Sequence, residues 1–194
     1  DNQESDILVV AINMGDFAGT YGVEEGDVVS FTLAEKAGYL GQYQAHQLQR
    51  TNERSDYASD EVFANFRPVV LGDIAEGVLY RTSSPVNPEI GRAAYADDLI
   101  EKAGVKTVVN LADSDEAIQG YFAAEGFDSP YYKSLYEAGS VVALNMGVDY
   151  KSEDFQSKLK TGLEFIIAHE GPYAIHCNEG KDRAGFTAIL LEAL

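Results

Sequence analysis

Residues 172–194 constrain the fold of this chain more than any other stretch. An apolar run, Pro172-Tyr173-Ala174-Ile175, leads through His176 into Cys177, the only cysteine in the sequence. A short loop holding Gly180 and Arg183 follows, and Ala184 to Leu194 then reads as a helix. A strand that passes through a tight loop into a helix gathers successive backbone N–H groups around one point and aims a helix N-terminus at it. Such a concavity binds an oxyanion such as phosphate. Gly180 lets the backbone turn closely around the anion, and the planar fork of Arg183 can take two of its oxygens at once. Asn178, Glu179, Lys181 and Asp182 complete the loop, and Lys181 adds positive charge at its mouth.

The same arrangement makes Cys177 a nucleophile. Helix N-termini and nearby cations lower a cysteine pKa from about 8.5 to roughly 3.5–7.5, so a thiol so placed is held as thiolate near neutral pH. A thiolate under a bound phosphate ester can attack phosphorus in line and form a phosphocysteine. The plainer reading makes Cys177 a small buried hydrophobe and Arg183 a surface cation. The spacing H-C-x-x-G-x-x-R argues against it.

Upstream, the pattern from Val69 onward alternates strands and helices. Strands are predicted over 77–81, 106–111, 141–146 and 173–176. A helix should start at Asn87-Pro88 and stop at Gly104. Others should run from Ser114 or Asp115 to Gly126, over 129–138, and over 152–170, where Phe155, Leu159, Leu163, Ile166 and Ile167 form one apolar stripe. This predicts an α/β fold, a central and mainly parallel sheet flanked by helices, with the anion loop at a strand's C-terminal end. Residues 1–66 read differently, as a small β-rich unit with strands over 7–12, 27–33 and 42–50. The polar stretch 51–60 reads as a connector, and the boundary is expected near Phe66, giving domains 1–66 and 67–194. The first residue is Asp, and both ends read as cuts in a longer protein, the N-terminal unit and the C-terminal helix both being incomplete.

The formal net charge is −18. That argues against nucleic acid and against unassisted docking on an anionic membrane surface, both of which need clustered Lys and Arg. One cysteine forms no internal disulfide, so it does not separate a reducing from an oxidising compartment. Cytoplasmic and secreted settings both stay open, with no leader in the sequence. His46 stands without a second histidine or cysteine near it and reads as a strand or surface residue. No cluster of metal ligands is present and a thiolate mechanism needs none, so no cofactor is expected. Gly180-Lys181 is not a nucleotide-binding loop, since Asp182 follows where Ser or Thr is required.

The string HCNEGKDRAG resembles the H-C-x5-R signature of the cysteine-dependent protein tyrosine phosphatases, and in particular the bacterial members with a G-K-D-R loop, some of which act on phosphoinositides. Leu79-Tyr80-Arg81-Thr82-Ser83-Ser84 and Val108-Val109-Asn110-Leu111, followed by Asp113 and Glu116, fit the same group, so the resemblance covers about 77–194. It implies a phosphotyrosine phosphatase-like fold and a metal-independent phosphomonoester hydrolase, with a phosphotyrosine protein or a phosphoinositide-like polyanion as substrate. It also implies a general acid on a loop near Asp149. Asp149 could instead cap the helix that starts near Ser152. Asp182, beside Arg183, is the rival acid or half of an ion pair, and Asp113 is a third candidate. His176 should point away from the phosphate and hydrogen-bond the loop or the thiolate. The family usually has Ser or Thr after the arginine, whose hydroxyl assists breakdown of phosphocysteine; here it is Ala184. That departure leaves a phosphate-binding module with impaired turnover as the alternative, and an arsenate-reductase-like or sulfur-transfer enzyme as a third reading.

Overall fold

The structure, a computed structural model, describes residues 51–193 together with 10, 12, 15–28, 30, 32, 36, 38 and 40–41. The chain divides into two compact units, Asp1–Gln49 and Arg50–Leu194. In the first, helix α1 (Phe17–Tyr21) starts where the Asp16 carboxylate accepts from Gly19 N and ends at Gly22 in the left-handed region. The strands expected over 7–12 and 42–50, and His46, fall wholly or almost wholly outside the described residues. Of the strand expected over 27–33, Asp27, Val28, Ser30 and Thr32 are described and carry no strand.

The second unit is an α/β domain built on a five-stranded sheet of order β1-β2-β5-β3-β4. Its strands are β1 (Arg67–Pro68), β2 (Leu79–Thr82), β3 (Thr107–Asn110), β4 (Val141–Ala143) and β5 (Tyr173–His176). Only β1 runs antiparallel; the others are parallel, and β5 lies between β2 and β3. Parallel strands need crossovers, and helices on both faces supply them. The connections run through α3 (Ala93–Lys102), α4 (Asp115–Phe122), α5 (Pro130–Glu137) and α6 (Glu153–Ala168), while α2 (Asp60–Phe63) precedes the sheet and α7 (Asp182–Ala193) follows its last strand.

Strand alternation divides the core. Leu79, Val109 and Ile175 pack on one face with Phe155 of α6 and Ala184 and Ala188 of α7. Val108 and Ala174 pack on the other with Ile100, Ile118 and Tyr132 from α3, α4 and α5. Because β5 alternates, Cys177 falls in the cluster under α6 and α7, while His176 faces the opposite side with Tyr132. Helix α6 approaches closely because residue 162 is glycine: a Cβ there would meet Leu144 Cδ1 at 2.8 Å and Val109 Cγ1 at 3.2 Å. The buried face of α6 therefore follows Phe155, Leu159, Gly162 and Ile166, and Ile167, expected on the apolar stripe, is 84% exposed.

Two expectations shift for local reasons. The helix expected from Asn87 to Gly104 is broken at Gly91, which takes φ 67° and closes a 3-10 turn over Pro88–Ile90; α3 then starts at Ala93. The strand expected over 141–146 pairs regularly only to Ala143, after which Leu144 N and Met146 N still donate to Asn110 O and Leu111 O. Helix α5 starts beside a buried carboxylate of α3: Asp97 accepts from Tyr131 N and Tyr132 N, and burial pushes its pKa up to about 6.

The compact unit begins at Arg50, and the boundary expected near residue 66 falls inside it. Phe63 and Ala64 are buried, and Phe63 packs edge-on against Tyr95 of α3. Arg92 lies over the Tyr57 and Phe63 rings, at 5.3 and 4.9 Å, and donates to Thr51 O and Tyr57 Oη. Polar composition made 51–60 read as a connector and put 61–66 before the boundary, but Tyr57 and Phe63 anchor this stretch to the second unit. Phe63→Ala should therefore lower the unfolding free energy by about 3–5 kcal/mol. Denaturant titration checks this; a connector residue would change it by no more than about 0.5 kcal/mol.

Candidate active site

Strand β5 delivers Cys177 to the bottom of a cleft of about 330 Å³, lined by Val148, Cys177, Asn178, Glu179, Lys181, Asp182 and Arg183. Gly180 is the pivot of the loop, with φ 66°. A Cβ at this position would run into the carbonyl of Thr82 and, at 2.7 Å, Ser83 N. Only glycine allows both the left-handed turn and this close approach to the end of β2.

The loop's carbonyls are all engaged. Asn178 O accepts from Ser84 N at 3.0 Å. Glu179 O and Gly180 O accept from Asn65 Nδ2 at 2.9 and 3.1 Å. Gly180 O and Lys181 O accept from Arg81 Nη2 at 2.9 and 3.0 Å, and Lys181 O also accepts from Gly185 N. Across a trans peptide the C=O and N–H point in opposite directions. Carbonyls bonded to the scaffold behind the loop therefore turn the N–H groups of Glu179, Gly180, Lys181 and Asp182 the other way. Backbone amides turned inward beside a helix N-terminus are an arrangement that can hold an anion.

Arg183 stands on the first turn of α7 and reaches across to Met146 O at 2.8 Å. That bond ties α7 to the loop after β4, which carries Val148 and Asp149. The candidate acids occupy different surroundings. Asp182 lines the cleft as the first residue of α7. Asp149 is exposed beside it and accepts from Lys151 N at 3.1 Å; its backbone carbonyl takes the Ser152 hydroxyl, while Ser152 itself caps α6. Asp113 is buried on the far side of the sheet, where it accepts from Asn110 Nδ2 and Tyr121 Oη. Ser114, not Asp113, caps α4.

His176 is fully buried, edge-to-face with Tyr132 at 5.8 Å. It points away from the cleft, as the strand alternation requires. Of the loop and the thiolate expected as hydrogen-bond partners of its ring, the structure brings only the Cys177 backbone close enough to act on it, and neither ring nitrogen makes a well-aligned hydrogen bond. Burial drives its pKa down to about 4, against the opposing pull of Asp113 and the Cys177 backbone, so the ring is neutral. Ala184 is fully buried in the core cluster under α7 and offers the cleft no hydroxyl.

Aromatic rings pack between the loop after β4 and helix α7, outside the residues that line the cleft. Tyr150 stacks on Phe186 with centroids 5.0 Å apart, and both meet Phe155 edge-on. Among the described residues, no group of three or more His, Cys, Asp or Glu is arranged to hold a metal ion, and no helix is long and apolar enough to cross a membrane.

Two side chains of the site escaped the sequence reading as functional groups: Asn65 and Arg81. Asn65 lies in the stretch read as lying before the domain; its one signal is that Asn tolerates the left-handed conformation, here φ 53°. Arg81 was visible within a strand motif, and a charged residue inside a central strand requires a partner. Which partner only the fold reveals.

The model of the tyrosine phosphatase family matches residues 65–194. One solved structure, P. aeruginosa TpbA, is 23% identical with a TM-score of 0.35, the match covering 58% of this chain and 56% of that one. This chain thus spans little more than half the TpbA chain. No curated protein matches.

The neutral, buried imidazole has a consequence for stability. Unfolded, His176 protonates near its ordinary value of 6.5; folded, near 4. Between those values the unfolded state binds more protons, so stability falls as pH drops from 6.5 through 4, by on the order of 3 kcal/mol. Denaturant titrations at pH 7 and pH 4 should show the gap between wild type and His176→Asn narrowing by about that amount at the lower pH. A gap independent of pH would mean that the folded ring titrates normally.

Proposed function

This chain belongs to the tyrosine phosphatase family, and on that footing we propose that it is a cysteine-dependent, metal-independent hydrolase of phosphate monoesters. The observation that carries the reading is the placement of Cys177 at the floor of a cleft ringed by outward-held carbonyls and inward-turned amides, with Arg183 on its rim. The phosphoryl oxygens sit on the loop amides and the Arg183 guanidinium. Cys177 Sγ attacks phosphorus, the P–S bond forms, and the ester oxygen leaves with a proton from a carboxyl group. Water then cleaves the P–S bond, releasing phosphate and the thiolate.

Aryl esters fit the site best. The family supports a phosphorylated tyrosine as the first substrate class, and the exposed Tyr150, two residues after the cleft-lining Val148, is the nearest aromatic side chain in sequence that could meet its ring. The G-K-D-R form of the loop, with Lys181 at the cleft, keeps phosphoinositide-like polyanions as the second substrate class. The proton donor is Asp182 or Asp149. Asp182 lines the cleft, whereas Asp149 stands next to Val148 on the neighbouring loop, from which a donor can reach the leaving oxygen opposite Cys177.

Cys177→Ser should abolish turnover of an aryl phosphate and leave vanadate binding intact, since serine offers no thiolate but the cradle remains. Turnover comparable with wild type would remove Cys177 as nucleophile. Arg183→Lys keeps the charge but not the fork and should cost about 2.7–4 kcal/mol of transition-state stabilisation, read from kcat/KM. The acid is identified by leaving-group dependence. Replacing the true donor by Asn slows esters of poor leaving groups, spares activated aryl phosphates and flattens the alkaline limb of the pH–rate profile. That pattern should appear in one of Asp149→Asn and Asp182→Asn; its absence from both would exclude both.

A further inference from the structure

The stretch that ends at Asn65 and the end of β2 do more than close the core; they form the rear wall of the loop after β5. Ala64 O accepts from Ser83 N and from the Thr82 hydroxyl, which locks the end of α2 to the end of β2. Asn65 follows, turned by its left-handed backbone so that Nδ2 meets two successive loop carbonyls, Glu179 O and Gly180 O. The Asn65 side-chain oxygen and carbonyl are held in turn by Arg67 Nη1. From β2, Arg81 lies under the first turn of α7: a Cβ on Gly185 would sit 2.8 Å from Arg81 Nη2, the atom that donates to Gly180 O and Lys181 O. Three consecutive carbonyls are thus taken from behind by two side chains far away in sequence. Lys181 O is also turned by its helical bond from Gly185 N, whereas the hydrogen bonds to Glu179 O and Gly180 O come from these side chains, in a stretch that belongs to neither strand nor helix.

We propose that Asn65 and Arg81 are positioning residues for phosphate binding, which set the orientation of the peptide planes of Glu179, Gly180 and Lys181 so that the following N–H groups meet the oxyanion. The inference rests on the reading of 177–183 as an oxyanion cradle. Neither side chain touches the substrate. Asn65 donates through a neutral amide, so its replacement by an isosteric carboxylate leaves an acceptor facing two acceptors and pushes those peptides out of register. Arg81→Lys retains a cationic donor but loses the planar group packed beneath Gly185, and is the milder change.

The test uses the whole chain and inorganic phosphate, with binding followed by calorimetry and folding by urea titration on the same samples. Asn65→Asp should weaken phosphate binding about 10-fold or more at pH 7 and Asn65→Ala about 5-fold, at urea concentrations of zero where both remain folded. The deficit of Asn65→Asp relative to wild type should shrink only as pH falls to about 4, near the ordinary aspartate pKa of about 3.9, where the protonated carboxyl can donate again. Arg81→Lys should bind more weakly than wild type by a factor of a few. A merely structural role would lower the urea midpoint and leave phosphate affinity, and its ratio to wild type across pH, unchanged; that result overturns the proposal. If Asn65→Asp does not fold, Asn65→Ala and Arg81→Lys decide alone. Weakened phosphate binding in the variants of a chain that binds phosphate but hydrolyses no ester supports this inference and defeats the proposed function. A wild type that binds no phosphate defeats both.

Discussion

The carbonyl groups of Asn178, Glu179, Gly180 and Lys181 have to point away from the cleft, because each one facing inward would set the negative end of a peptide dipole against a bound oxyanion. In a chain with a formal net charge of −18 this constraint is severe. The cleft itself carries Glu179 and Asp182 against Lys181 and Arg183, so its side chains bring no net charge to attract an anion. Peptide dipoles and the start of α7 must supply the attraction. On the proposed function this requires the loop to be held from behind, and the surrounding fold holds it there: the end of β2 brings Arg81 and, just beyond it, Ser84 N, the residue after the cap of α2 is Asn65, and Gly180 allows the close approach.

The sheet order follows from the same demand. With β5 between β2 and β3, the loop after β5 lies next to the ends of both neighbours. The end of β2 supplies the rear wall. On the other side Leu111 N donates to His176 O, and Asn110 organises Asp113, Tyr132 and Ala112 N into a buried network below His176. That network occupies Asp113 with Asn110 and Tyr121, outside the lining of the cleft. His176, next to the nucleophile in sequence, is separated from the cleft by the sheet and remains neutral.

The α/β pattern from Val69 onward, and the strand, loop and helix that carry Cys177 and Arg183, were legible in the sequence because each rests on local order: an apolar strand, a glycine at a turn, a helix behind it. What was not legible depends on distant partners. Residues 51–66 are polar and short of periodicity, and nothing local shows that Phe63 is buried or that Arg92 lies over Tyr57. Gly91 reads as a tolerable helix residue until its φ of 67° ends the turn. Ile167 fits an apolar stripe that tolerates one position of slip, and the sheet contact at Gly162 fixes which way it slips. Asn65 and Arg81 act across separations that sequence spacing does not encode.

Ala184 bears most directly on the chemistry. It is packed at 0% exposure in the core beneath α7, and no hydroxyl stands there to aid the attack of water on a phosphocysteine. A cradle intact for the first step and poorer for the second should hold its covalent intermediate long enough to be caught. The direct measurement is rapid acid quenching during turnover of an aryl phosphate, followed by mass spectrometry of the peptide that contains Cys177. The account predicts one phosphoryl group on Cys177 in a substantial fraction of the chain, formed as fast as the phenol is released. Phenol release with no phosphorylated Cys177 at any quench time would contradict it.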